Sequence, residues 1–277
     1  MTTNTSIKKL YDSINLNKRE IDLILCHVLN INTASLFIYD NELSEQQNKL
    51  VKEFSKQRLN GKPLAYITGN KSFWTLDLKV NQHTLVPRPE TEQIIELVLA
   101  KTNKDFAGKI LDLGTGSGAI ALSLAQELPL AKIVGIDFSK ECIKVALFNQ
   151  QKYVLKNANI FQSDWFESIK NEKFDFIVAN PPYVAEGDKH LTDLSFEPIS
   201  ALTAKNNGLA DLFHIIKTAK NYLTNNGIII LEHGYSQFQS VQSCLIENHY
   251  NHVKSHKDLS GITRITTAQL QYLDLNK

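Results

Sequence analysis

The apolar residues at the start of the chain recur with helical spacing. Between residues 1 and 72 they fall three and four positions apart, without the alternation of a strand, in stripes that comprise Ile21, Leu23, Ile24, Val28 and Leu29, then Leu50, Val51 and Phe54. Ser44 followed three residues later by Gln47 fits a capping box, which predicts a helix that begins near Glu45 and ends before Gly61. Residues 1–72 are therefore predicted to form a small helical bundle.

From Phe73 the spacing of the apolar residues changes to two. One face of the predicted strand carries Trp74, Leu76, Leu78 and Val80. A polar turn and the apolar pair at 85–86 follow, which favours a second strand paired with the first. Pro87 and Pro89 then end the pairing, because proline has no N–H to donate. We expect a β-hairpin connector over residues 73–90.

Residues 91–277 alternate helical patterns with short apolar runs such as those at 109–113, 132–137 and 174–179. This alternation predicts a mostly parallel sheet with helices on both faces, whose ligands bind at the carboxyl ends of the strands. The polar stretch 184–210 has no clear period and is predicted to be a binding loop or a lid.

Composition narrows the classes of partner. The chain is 43% apolar, which is enough to form a hydrophobic core. It has 30 Lys plus Arg against 29 Asp plus Glu, and this near-balance of charge disfavours a protein that binds many phosphate groups. The three cysteines show no metal-ligand spacing, and we expect no metal. The first residues lack a secretory leader, and no window approaches the roughly 18 apolar residues of a membrane span. We expect a cytoplasmic protein without a membrane partner.

A glycine-rich turn follows the first of these apolar strands. The segment 112–118 reads Asp-Leu-Gly-Thr-Gly-Ser-Gly and opens a predicted helix, where free N–H groups suit a phosphate or a carboxylate. The G-x-G-x-G spacing differs from the dinucleotide fingerprint, and a turn that serves packing alone stays open. The cofactor-binding candidates in this turn are Gly114, Thr115, Gly116, Ser117 and Gly118.

Two further strand ends indicate a nucleoside. Asp137 stands about 20 residues after the turn, where an acidic side chain can accept both hydroxyls of a ribose. Phe138 beside it could pack on the base. Trp165 closes the following strand and could stack on adenine, although a core role for this residue is the alternative.

The sharpest motif is Asn-Pro-Pro-Tyr, formed by Asn180, Pro181, Pro182 and Tyr183 after an apolar run. The prolines fix the backbone, so the side-chain oxygen of Asn180 and the carbonyl of Pro181 can both point at a planar NH2 group. Tyr183 would pack beside that group. Asn180, Pro181 and Tyr183 are the predicted catalytic residues, Pro182 joins them in binding the acceptor, and Asn180 is expected to touch the cofactor as well.

Together these residues describe a methyltransferase that uses S-adenosylmethionine, and the motif resembles that of enzymes methylating an adenine or cytosine amine or a glutamine amide. The other segments are similar to those of the peptide chain release factor glutamine methyltransferases (the HemK or PrmC family), a resemblance carried by residues 65–69, 73–74, 84–92, 196–198, 231–234, 237, 257–259, 261 and 264. The stretch 205–209 departs from the family pattern, which leaves its role open, and residues 1–60 match weakly.

The resemblance implies a class I, Rossmann-like methyltransferase domain over 91–277 with a seven-stranded sheet, joined to a partner-binding N-terminal bundle. It implies methylation of a glutamine side-chain nitrogen (N5) in the Gly-Gly-Gln motif of release factors, with S-adenosyl-L-homocysteine as the product. We expect a monomer that contacts no nucleic acid directly.

Three other functions are weighed against this one. A DNA or RNA amino-methyltransferase would share the glycine turn and the Asn-Pro-Pro-Tyr motif, but it needs a basic face, and the first 80 residues carry only eleven Lys and Arg against eight Asp and Glu. A non-catalytic binding module would not need an intact motif. A nicotinamide oxidoreductase would need different glycine spacing.

Overall fold

A computed structural model describes residues 7–271 of the 277-residue chain, so the predicted domain limits at residues 1 and 277 lie outside the described residues. The chain divides into two compact units at the bond between Asn70 and Lys71. None of the helices within the described residues combines the length and the hydrophobicity that crossing a bilayer requires.

The first unit is helical, as its apolar spacing predicts. Its helices are α1 (Ile7–Ser13), α2 (Lys18–Leu29), α3 (Thr33–Phe37), α4 (Glu45–Leu59) and α5 (Leu64–Thr68). The Ser44 hydroxyl accepts from the Gln47 N–H and the Gln47 side chain accepts from the Ser44 N–H, so the predicted capping box is confirmed. Apolar side chains from α1 to α4 share one buried cluster, which includes Leu10, Ile24 and Val51.

A two-stranded sheet of β1 (Asn70–Phe73) and β2 (Leu76–Lys79) follows, in which β1 begins at the last residue of the first unit. The predicted strand from Phe73 to Val80 is therefore interrupted by a turn at Trp74, whose φ of +53° breaks the alternation. The Trp74 N–H donates to the carboxylate of Glu92 at 2.7 Å, and its indole N–H donates to Glu127 at 2.8 Å. These distant carboxylates hold the turn.

The predicted hairpin partner at 85–86 is wrong, because residues 80–88 form no strand. Pro89 instead opens a 3-10 turn, Pro89–Thr91, that leads into α6 (Glu92–Leu99). Proline favours the first helical position, since its fixed φ suits the helix and no N–H is needed there.

A seven-stranded sheet forms the centre of the second unit, and the predicted mostly parallel sheet is confirmed. Its spatial order is β10-β11-β9-β6-β3-β4-β5, in which β9, β6, β3, β4 and β5 are parallel and β11 runs antiparallel to both of its neighbours, β9 and β10. The strands are β3 (Lys109–Leu113), β4 (Lys132–Asp137), β5 (Ala158–Gln162), β6 (Phe174–Ala179), β9 (Leu223–Glu232), β10 (Tyr250–Lys257) and β11 (Thr263–Leu270).

Helices cover both faces of this sheet. The remaining helices are α7 (Ala119–Glu127), α8 (Lys140–Tyr153), α9 (Lys205–Gly208), α10 (Ala210–Ala219) and α11 (Phe238–Glu247). Side chains of α6, α7 and α8 share one core with Ile110 and Val178, and those of α10 and α11 share the other with Leu111 and Ile177. Alternate residues of β3 and β6 thus enter opposite cores, as strand geometry requires.

The predicted loop at 184–210 contains short regular elements. Residues of β7 (Val184–Ala185) pair in parallel with β8 (Thr203–Ala204), and 3-10 turns occupy Lys189–Leu194 and Ile199–Ala201. The single turn α9 follows, with positive φ at Asn206 and Asn207. The segment is thus a folded excursion that starts at the Asn-Pro-Pro-Tyr motif.

Candidate active site

A cavity of about 440 Å³ opens at the carboxyl ends of β3, β4, β5 and β6, in the size range of small-molecule sites. Each of these strands contributes predicted site residues to its wall: Gly114 and Gly116 follow β3, Asp137 ends β4, Trp165 follows β5, and Asn180 and Pro182 follow β6. The sheet therefore collects residues that lie far apart in the sequence at one edge, where parallel sheets bind ligands.

The glycine turn is held from below by Asp112. Its buried carboxylate accepts from the Thr115 hydroxyl at 2.6 Å and from the Ala121 N–H at 3.1 Å. Burial raises the pKa of Asp112 to about 7, against the opposing effect of these hydrogen bonds. The turn is thus tied to the start of α7.

The expectation that this turn offers a row of free N–H groups needs correction. The N–H of Thr115 donates to the carbonyl of Ile136, that of Gly116 to Asp137, and that of Gly118 to the carbonyl of Thr115. Thr115 and Ser117 are buried, and the lining of the cavity includes neither them nor Gly118. These three predicted cofactor residues shape the turn, while Gly114 and Gly116 face the cavity.

Gly116 leaves open space for a ligand. Its φ is +56°, and a Cβ placed there would meet nothing within 4 Å. A Cβ on Gly114, where φ is +74°, would reach only the Trp165 ring, at 3.9 Å. A ligand can therefore approach the backbone of this turn closely.

Asp137 links the turn to the next helix. One carboxylate oxygen accepts from the Gly116 N–H at 2.9 Å and the other from the Ser139 N–H at 2.8 Å, while burial raises its pKa. Each oxygen keeps lone-pair capacity, because a carboxylate has about four acceptor sites. Phe138 beside it lines the cavity with 68% of its surface exposed.

Asn180 is oriented by Thr91. The side-chain N–H of Asn180 donates to the Thr91 hydroxyl at 3.1 Å, and that hydroxyl donates to Glu232 at 2.7 Å. The other oxygen of Glu232 accepts from the Tyr183 hydroxyl at 3.2 Å. Burial raises the pKa of Glu232 to about 7. Burial of Tyr183, followed by the nearby charge of Glu232, raises the pKa of the Tyr183 hydroxyl above its usual range.

The side chains of Pro181 and Tyr183 do not line the cavity. Pro181 is buried, and the Tyr183 hydroxyl is directed to Glu232. The carbonyl of Tyr183 accepts from the Gln237 side chain at 2.9 Å, and the same amide donates to the carbonyl of Asn207 at 3.1 Å. The stretch 205–209, whose role the sequence leaves open, thus supports the motif.

The 84–92 segment is held by a second buried carboxylate. Glu197 accepts from the Val86 N–H at 3.0 Å and forms an ion pair with Arg88. Both Val86 and Glu197 are buried. Glu197 therefore fixes the backbone that leads to Thr91.

A histidine could accept a proton at such a site, but His233 and His190 are not among the residues that line the cavity. His233 is buried and contacts the Thr266 hydroxyl at 2.8 Å, and His190 pairs with Asp188 at the surface. His83 lines the cavity. Within residues 7–271 no cluster of three His, Cys, Asp or Glu side chains is arranged to hold a metal ion.

Thr91 and Glu232 are the site residues that sequence reasoning missed. Both belong to segments quoted for the family resemblance, yet neither received a role there. The pairing of β6 with β9 sets Ala179 opposite Leu231, so Asn180 and Glu232 are neighbours at the strand ends. The apolar runs of β6 and β9 are both followed or ended by a polar residue, Asn180 and Glu232. This shared pattern is the sequence signal that would have indicated Glu232 as a site residue.

Comparison with known proteins gives consistent matches over both units. One family model, described as a methyltransferase domain, matches residues 104–272, and another, described as the PrmC N-terminal domain, matches residues 5–69. Curated relatives are named release factor glutamine methyltransferase. The relative from Coxiella burnetii is 39% identical over 90% of this chain and 91% of its own length. The relative from Escherichia coli is 38% identical over 91% of this chain and 92% of its own length. The relative from Buchnera aphidicola is 42% identical and covers 95% of this chain and 96% of its own length.

Solved structures agree on the fold of the second unit. A methyltransferase from Pyrococcus furiosus has a TM-score of 0.55 at 19% identity, covering 80% of this chain and 100% of that chain. A 16S rRNA methyltransferase of T. thermophilus, in complex with AdoMet and guanosine, has a TM-score of 0.53 at 18% identity, covering 73% of this chain and 50% of that chain. At such identities the likeness shows the class I methyltransferase fold alone.

Proposed function

The chain belongs to the release factor glutamine methyltransferases, and from this membership we propose that it methylates the side-chain amide nitrogen (N5) of a glutamine in a peptide chain release factor. The methyl donor is S-adenosyl-L-methionine and the product is S-adenosyl-L-homocysteine. The acceptor is the glutamine of the Gly-Gly-Gln motif.

The cavity wall fits S-adenosylmethionine in size and chemistry. The open space at Gly116 would accommodate the methionine end, the Asp137 carboxylate would accept from the ribose hydroxyls, and Trp165 and Phe138 would offer flat surfaces to adenine. When bound, the cofactor supplies a methyl carbon activated by its positively charged sulfur. No metal takes part in this assignment.

The orientation of Asn180 is the observation that carries the proposal. Since its side-chain N–H is directed to Thr91, its side-chain oxygen is the atom left to accept a hydrogen bond at the cavity wall. A glutamine amide presents two N–H donors, and we assign one to this oxygen and the other to the carbonyl of Pro181. Pro182 completes the wall beside them.

The same two acceptors promote the reaction. An amide nitrogen is a weak nucleophile because its lone pair is delocalised, and methylation requires that nitrogen to develop positive charge. Oxygens that already accept its N–H groups gain interaction energy as that charge develops, so they stabilise the transition state more than the ground state. The proton becomes acidic only after the transfer, so no general base is assigned.

Recognition of the release factor is assigned to the helical unit, which the PrmC N-terminal domain model matches. A glutamine side chain is common to most proteins, so selectivity must come from surfaces outside the pocket. We assign the enzyme to the cytoplasm, where release factors act, and expect it to work as a monomer.

The test is methyl transfer from radiolabelled S-adenosylmethionine to a purified release factor, with mass spectrometry to locate the label. The matched control is a release factor in which the Gly-Gly-Gln glutamine is replaced by glutamate, and unmethylated DNA is assayed in parallel. Label on the motif glutamine, and none on the control or the DNA, is the expected result. Label on DNA or on another residue would contradict the proposal.

A further inference from the structure

The donor and acceptor roles around Glu232 fix the orientation of Asn180. Glu232 has 2% of its surface exposed, and two hydroxyls converge on its carboxylate, from Thr91 at 2.7 Å and from Tyr183 at 3.2 Å. An ionised carboxylate can only accept, and each hydroxyl has a single proton. Above the pKa of Glu232, both protons are therefore committed to it.

The consequence for Asn180 follows from counting protons. Once the Thr91 proton is directed to Glu232, the Thr91 oxygen can offer Asn180 only a lone pair, at the observed 3.1 Å. Asn180 must then present its NH2 group to Thr91 and its oxygen elsewhere. The proton count by itself therefore identifies the Asn180 atom that faces Thr91 as the amide nitrogen.

We propose that Glu232 and Thr91 are positioning residues that lock the Asn180 amide with its oxygen toward the cavity. The inference rests on the proposed function, because it assigns the locked oxygen to the acceptor amide. Without the lock, rotation of the amide would present NH2 to the NH2 group of the substrate. Such a pose loses one of the two hydrogen bonds that align the nitrogen.

The fold holds this chain of side chains rigidly. Glu232 ends β9 beside the end of β6, through the pairing of Ala179 with Leu231. Thr91 has 4% of its surface exposed and sits at the end of the 3-10 turn. The charged groups around Glu232 are Glu90, which raises its pKa, and Arg264, which lowers it.

The test compares Thr91→Val, which removes the hydroxyl at nearly constant volume, with Thr91→Ser, which keeps it. Thr267→Val is the matched control, because Thr267 is also a buried threonine whose hydroxyl hydrogen-bonds, to His256 at 3.0 Å. Assays at pH 8 keep Glu232 mostly ionised. We expect Thr91→Val to lower kcat about tenfold, the worth of one buried hydrogen bond, while Thr91→Ser and Thr267→Val stay within about twofold.

A second readout needs neither substrate nor turnover. The side-chain NH2 resonances of Asn180 in the ligand-free protein can be assigned by their loss in Asn180→Asp. Held against Thr91, these protons should exchange slowly with water in the wild type, Thr91→Ser and Thr267→Val, and clearly faster in Thr91→Val. Calorimetry should show nearly unchanged affinity for S-adenosylmethionine in all of them.

The outcomes distinguish failure of the positioning role from failure of the proposed function. If the wild type methylates the release factor but Thr91→Val keeps its kcat and its slow exchange, the positioning role is overturned and the function stands. If no glutamine is methylated yet exchange responds as expected, the function fails and the lock stands. Should Thr91→Val not fold, Glu232→Gln replaces it: this variant should lower kcat and speed exchange of the Asn180 amide, and wild-type behaviour in both would overturn the proposal.

Discussion

Replacement of Gly208 by alanine tests whether the 205–209 stretch supports the Asn-Pro-Pro-Tyr motif. Gly208 has a φ of +80°, and a Cβ there would point at the Tyr183 carbonyl group, 2.7 Å from its carbon, and 2.8 Å from the Gln237 amide nitrogen. The Tyr183 carbonyl oxygen accepts from this Gln237 nitrogen in the hydrogen bond that holds the end of the motif. The added methyl must therefore displace this carbonyl or the turn itself.

The size of the effect follows from two contributions. A left-handed backbone costs a residue with a Cβ about 1–2 kcal/mol, and overpacking a buried site costs about 1–3 kcal/mol more. Reaching the 3.4 Å of ordinary contact with the carbonyl carbon from 2.7 Å needs a shift of about 0.7 Å, and the carbonyl oxygen, which lies closer to the added Cβ than the carbon does, requires a larger one. A displacement near 1 Å at a reacting group can cost about 100-fold in rate, so we expect kcat to fall about 10- to 100-fold.

Gly187→Ala is the matched control for backbone strain. Gly187 lies in the same excursion and has a φ of +81°, but a Cβ there would meet nothing within 4 Å. The assay is urea unfolding of both variants together with kcat for release factor methylation. Gly187→Ala should lose about 1–2 kcal/mol of stability and keep its activity, while Gly208→Ala should lose about 2–5 kcal/mol and most of its kcat. Equal stability and equal activity of the two variants would refute the reasoning.

Three further changes probe the cavity and the buried carboxylates. Asn180→Ala should lower kcat by about 100-fold or more, with only a small loss of cofactor affinity by calorimetry; full turnover would exclude the assigned role. Asp137→Ala should weaken cofactor binding by about 2 kcal/mol, as expected for a charged acceptor of hydroxyl groups, and unchanged affinity would argue against ribose binding there. Burial raises the pKa of Asp112 from 3.8 to about 7, so the folded state holds this proton more tightly than the unfolded chain. The free energy of unfolding of the wild type relative to Asp112→Asn should therefore fall as pH rises from about 4 to 7; a difference that rises with pH would show the sign to be wrong.

The parallel sheet was predictable because its strands are buried on both faces. Such strands read as short apolar runs, and the runs that end at Leu113, Asp137 and Ala179 are β3, β4 and β6 in the structure. The turns after them are the places where a ligand meets polar residues. Position in the sheet, rather than the motif alone, brings Gly116, Asp137 and Asn180 to one cavity.

The hairpin at the start of the second unit could not be predicted in the same way. Phe73, Leu76 and Leu78 are all buried, so their spacing alone gives no sign of a turn between them. The turn depends on Trp74 adopting a positive φ, which is rare for an aromatic residue. It is held by Glu92 and Glu127, and no local pattern shows those contacts.

The residues behind the motif were missed for a related reason. Thr91 and Glu232 are 141 positions apart in the sequence. A sequence motif indicates the residues that face a ligand more readily than the distant residues that hydrogen-bond to them and orient them. Thr115 and Ser117, which the sequence places in the same glycine-rich turn, stay predicted cofactor residues. Their side chains are buried beneath the turn.

The fixed polarity of Asn180 also bears on which side chain the pocket accepts. With one N–H of its NH2 group donated to Thr91, Asn180 presents its oxygen, an acceptor, to an approaching side chain, and the Pro181 carbonyl assigned beside it offers another. Glutamine supplies two N–H donors to this pair. A glutamate carboxylate supplies none and brings negative charge against two oxygens. Sites that hydrogen-bond a substrate N–H reject analogues that lack it by about 10⁴- to 10⁵-fold. The discrimination between an amide and a carboxylate therefore depends on Glu232, because this buried carboxylate accepts the Thr91 proton and so turns the Asn180 oxygen toward the cavity.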